Sequence, residues 1–129
     1  MFEQDYIMRL IFELIRFFIK AIFNIDIKQK EVIDGEDLQM SDIGKEKLKY
    51  LQALIKKGNI NQAEDLLYQE MEISSQEDLK VGLLFYESLN QLDPAFLEES
   101  GFTYEEIKDG VERLLTLYGY QTLLELFHS

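Results

Sequence analysis

The sequence predicts an all-α protein, a multi-helix bundle of six or seven helices forming one domain over residues 1–129. Three observations carry that prediction. Apolar residues recur at intervals of three and four along nearly the whole chain, and strict alternation is hard to find. One proline and seven glycines are too few for the dense turns of a β-sandwich. Helix start and stop residues bracket each periodic run.

The first helix spans about residues 3–24 and makes residues 1–24 a long apolar N-terminal element. Asp5, Arg9, Glu13, Arg16, Lys20 and Asn24 follow one another at intervals of four or three, so they form one narrow polar stripe. Ile7, Ile11, Leu14, Phe18, Ile22 and Ile25 occupy the opposite side. About two-thirds of the circumference is apolar, the pattern of a helix covered on several sides. Ile7, Ile11, Leu14 and Phe18 are therefore candidates for self-association, with the helix lying in a groove of the body and its excess apolar surface buried in a homodimer.

Residues 26–41, DIKQKEVIDGEDLQMS, are polar and irregular, and read as a linker or loop turning at Gly35. The helical body occupies residues 42–129. Its first helix, about 42–57, has Asp42 or Ser41 as N-cap and buries Leu48, Leu51, Leu54 and Ile55; Gly58 ends it. The next, about 62–73, buries Ala63, Leu66, Leu67 and Met71. In SSQE, Ser74 and Glu77 have capping-box spacing and open a helix over about 75–92. Asp93 and Pro94 start a short helix that Gly101 closes. Thr103 and Glu106 repeat the capping-box spacing before a helix to about Tyr118, and a last helix covers about 120–127.

Two resemblances follow from these residues. LIKKGNINQAEDLLYQEMEIS, within about residues 44–75, resembles a tetratricopeptide-type helical hairpin: Gly58 falls at the turn, Ala63 at the small inter-helix position and Leu67 at the large apolar one. Leu51 and Ser75 depart from the usual small residue and proline. Over the whole chain, EQDYIMRLI, LIKKGNINQAEDLL and TYEEIKDGVERLLTLYG together resemble a family of uncharacterised small helical proteins from Gram-positive bacteria. That resemblance implies a bacterial, cytoplasmic helical protein and assigns no site residues.

Charge narrows the function classes. The net charge is -12, and residues 31–129 carry eight basic and twenty-one acidic side chains. Such a polyanion is repelled by nucleic-acid backbones and anionic lipid. No stretch reads as a membrane span: residues 6–23 contain Arg9, Glu13, Arg16 and Lys20, each costing ~2.5–3.5 kcal/mol at mid-bilayer. The absence of cysteine removes thiolate chemistry.

His128 is the single histidine and is penultimate in the sequence, so no held base is available for a nucleophile. Glu125 and His128 have Glu-x-x-His spacing, but di-iron bundles need two such motifs and two further glutamates. Glu105, Asp109 and Glu112 share one helix face that reads as solvated, and Asp34 to Asp37 lacks calcium-loop spacing. No enzyme activity, cofactor, metal or small-molecule ligand is expected.

One basic island stands out. Lys45, Lys49, Gln52 and Lys56 fall on one face of the 42–57 helix. In tetratricopeptide-type hairpins that face lines the peptide groove, so the row is a candidate grip for an acidic peptide. The alternative is that these lysines pair with the chain's own carboxylates. The function expected is a non-enzymatic interaction or structural module that binds a protein partner or itself. A peripheral membrane protein using the N-terminal amphipathic helix is the alternative.

Overall fold

Side-chain caps and glycine stops divide the chain, and a computed structural model describes residues 2–27 and 31–128. Among them are seven helices and no strand: α1 (Phe2–Phe23), α2 (Asp42–Lys56), α3 (Ile60–Glu70), α4 (Gln76–Asn90), α5 (Pro94–Glu99), α6 (Tyr104–Leu117) and α7 (Gln121–His128). The all-α bundle is as the periodicity predicts.

Ser41 caps α2 by accepting from the Gly44 amide at 3.1 Å. Thr103 and Glu106 form the expected reciprocal box at α6. The cap of α4 lies one residue later than the SSQE pattern predicts. Ser75 accepts from the Asp78 amide, while the Glu77 carboxylate accepts from the Ser41 amide and so supports the start of α2. Gly58, at φ 82°, ends α2 in the left-handed region where a side chain is disfavoured.

The hub of the bundle is α4, packed against α1, α2 and α6. Eleven of its fifteen residues are buried, Asp78, Glu87 and Asn90 among them, so it has protein on every side. Close approach of α6 depends on Gly110, where an added Cβ would clash with the Tyr86 ring. Around it α3 packs on α2, α7 on α6, and α1 bridges α4 and α6.

Two expectations need correction. The first concerns α1: Ile11, Leu14 and Phe18 are fully buried in the chain's own core, and Ile7 packs partly buried against it. The face expected to meet a second copy is covered from within, because α4 and α6 together supply the wide surface it needs. The polar stripe stays exposed at Asp5, Arg9, Glu13, Lys20 and Asn24, but Arg16 turns inward to Glu87 on α4.

The second concerns residues 26–41, whose residues 28–30 lie outside the described ones. Ile33, Leu38 and Met40 are buried in the core, so of the two readings, linker or loop, residues 31–41 are a packed loop. Asp34 and Asp37 each accept from the other's amide, at 3.1 and 2.8 Å, which fixes the turn around Gly35. The Glu31 carbonyl accepts from Arg16 and Gln91, tying the segment to α1 and to the end of α4. Polar composition hid three apolar anchors spaced too irregularly for a periodic signal.

Candidate docking groove

The buried side of α2 is Leu48, Leu51 and Ile55, and the two shoulders beside it differ. One carries Ile43, Lys47 and Tyr50, again at intervals of four and three, with Glu46 and Leu51 beside them. Across from it α3 contributes Leu66, Leu67 and Glu70, followed by Met71, and α4 contributes Asp78 and Val81. Together these enclose a groove of about 330 Å³, within the size range of ligand sites. Ile43 is 69% exposed and Tyr50 59%, so large apolar surface lines its mouth.

The base of the groove is fixed by Asp78. Its carboxylate accepts from Lys47 Nζ at 3.1 Å and from the Glu72 amide at 3.0 Å, joining α2, the α3–α4 turn and α4. The Tyr118 hydroxyl sits between the carbonyls of Glu72 (2.9 Å) and Ser75 (3.0 Å) on the same turn. Burial, with a contribution from the negative charge of Asp78, pushes the Tyr118 phenol up to about 12. A turn held this way presents a preformed groove.

Carboxylates dominate the polar part of the lining: Glu46, Glu70 and Asp78 against the single cation Lys47, which Asp78 already engages. Glu46 and Glu70 are exposed and make no ion pair among the described residues. The result is an apolar cleft with an acidic rim, and its lining includes no serine, threonine, cysteine or histidine.

The lysine row lies on the other shoulder and is not gathered into one open surface. Lys45 pairs with Glu36, whose hydrogen bond holds its ammonium above the usual lysine range. Gln52 donates to Ser88 of α4 at 2.9 Å, so that part of the face is an internal contact. Lys49 and Lys56 are exposed. The lysines stand out in the sequence by their charge, and the groove lies on the opposite shoulder of α2. The signal for the groove that the sequence carries is two large apolar residues, Ile43 and Tyr50, seven apart on a strip outside the buried face.

Elsewhere, titratable groups hold helices together. Tyr86 on α4 donates to Glu64 on α3 at 2.7 Å and lies 2.9 Å from the Tyr68 hydroxyl, and Arg113 on α6 reaches Glu64 at 3.1 Å. Burial drives the Tyr86 phenol far above the usual tyrosine range. At the C-terminal end His128 Nε2 is 2.9 Å from Glu112, which also pairs with Lys108 at 3.1 Å. No group of three or more His, Cys, Asp or Glu side chains among the described residues could hold a metal ion, Glu125 and His128 included.

Among the described residues no helix is long and apolar enough to cross a membrane. No curated protein and no solved structure matches the chain, so the tetratricopeptide likeness of residues 44–75 rests on sequence resemblance alone. A family match covers residues 1–119, which takes in α1 to α6 and the whole groove and stops short of α7. The chain belongs to DUF6483, a family of unknown function.

Proposed function

We propose that the protein is a non-enzymatic helical interaction module that holds a partner protein in the α2–α3–α4 groove. The observation that carries this is the exposure of Ile43 and Tyr50 at the mouth of a formed groove. Elsewhere the large apolar side chains of α2 and α4 are gathered into the core. Contiguous apolar surface rimmed by polar groups is the usual mark of a contact site.

The membrane alternative has less support, because the apolar side of α1 that it needs is buried against α4 and α6. The test is photo-cross-linking in the native host, with a photoreactive amino acid at Tyr50 and, as a control, at exposed Glu99 on α5. A discrete protein adduct from position 50 that is absent from position 99 and abolished by Ile43→Ser supports docking. The same adducts from both positions, or none, overturn it.

A further inference from the structure

We infer that the segment held in this groove is a cationic amphipathic helix of the partner protein, a conclusion that rests on the docking role proposed above. Charge is the first argument. Glu46 and Glu70 stand exposed on the rim and form no ion pair among the described residues, and the cation that lines the groove with them, Lys47, is engaged by Asp78. Lysine or arginine flanking the apolar anchors of an occupant meets both rim carboxylates. An acidic segment is repelled, as are a second copy carrying -12 and an anionic lipid surface.

Backbone chemistry gives the second argument. The groove walls are helices whose main-chain groups are bonded internally, and the described residues include no strand edge for an extended peptide to pair with. A segment that leaves water there must satisfy its own amides and carbonyls, and a helix does so. Spacing agrees: seven residues separate Ile43 from Tyr50, two helical turns or roughly 10 Å. Anchors at i, i+4 and i+7 of an incoming helix cover that distance.

Two synthetic helices about four turns long test this. Both carry leucines at i, i+4, i+7 and i+11; one is flanked by lysines and the other by glutamates. Fluorescence anisotropy with the full chain should show the lysine helix binding at least about tenfold more tightly, and more weakly as salt rises. Glu46→Lys with Glu70→Lys should reverse the preference. Glu98→Lys with Glu99→Lys, an equal charge change away from the groove, should leave it unchanged.

Equal binding of both helices, abolished by Ile43→Ser with Tyr50→Ser, overturns the cationic occupant and leaves the docking groove standing. Lysine-helix binding that ignores all the groove substitutions is attraction to a polyanion and overturns the inference. Binding of neither helix overturns the inference, while the cross-linking at Tyr50 decides the groove separately.

Discussion

The surroundings of α4 and the groove beside α2 treat the same kinds of side chain in opposite ways. Around α4 even charged groups are enclosed: Glu87, with 2% of its side chain exposed, receives both prongs of the Arg16 guanidinium at 3.4 and 3.3 Å. The Gln91 amide completes that site at 3.2 Å. In the groove, two large apolar side chains remain more than half exposed while the acids on the rim go without ion pairs. One region uses polar groups to fix helices inside the molecule; the other leaves both apolar and acidic surface available. The contrast teaches that burial here follows neighbours and not composition. Although α1 looks the most apolar segment, α4 is the enclosed one.

The hardest break in that comparison is at Glu87. Burial pulls the Arg16 guanidinium below its usual range, and the charge and hydrogen bonds of Glu87 oppose that pull. Glu87→Ala removes the opposing charge from a largely enclosed cation, and should cost about 3–5 kcal/mol in urea unfolding. Replacing both partners, Arg16→Met with Glu87→Leu, should restore most of that loss. If the single substitution costs under about 1 kcal/mol, as an exposed pair would, the hub is not sealed as described.

A smaller effect links the two regions through Tyr118, which pins the turn at the base of the groove. Its phenol is raised to about 12 in the folded chain, against about 10 for a free tyrosine. A pKa raised by folding favours the protonated form, so its contribution is whole below about pH 10 and is lost as pH climbs toward 12. Thermal unfolding temperature should therefore fall across that alkaline window. Tyr118→Phe should start lower at neutral pH, by the two lost contacts, and fall less steeply. Equal slopes for both proteins would mean that the phenol is not held by the turn.

Much of this architecture was legible in the sequence, and the exceptions share a cause. Helix positions followed from period and caps, since both are local: Thr103 with Glu106, Pro94 and Gly58 act on residues a few places away. The burial of Arg16 was not legible, because it belongs to a regular stripe and only the position of Glu87, 71 residues on, draws it inward. The packing of Ile33, Leu38 and Met40 was hidden for the same reason. The groove was half legible: Ile43 and Tyr50 stand on a readable strip, but Leu66, Met71 and Asp78 join them only through tertiary contact.

The smallest effect sharpens the comparison most directly. Ile43 and Tyr50 are 69% and 59% exposed, so Ile43→Ser with Tyr50→Ser deletes surface that folding barely uses. Urea unfolding should change by no more than about 0.5 kcal/mol in either direction, the range of ordinary surface substitutions. Leu83→Ser on α4, at 0% exposure, provides the contrast: it empties core volume and buries a hydroxyl, and should cost several-fold more. A loss above about 2 kcal/mol for the groove pair would assign those side chains to the core, and the distinction between the two regions would collapse. A loss near zero means that these side chains do nothing for folding. Their place beside Leu66 and Met71, under an acidic rim, is then consistent with the docking role proposed for the groove.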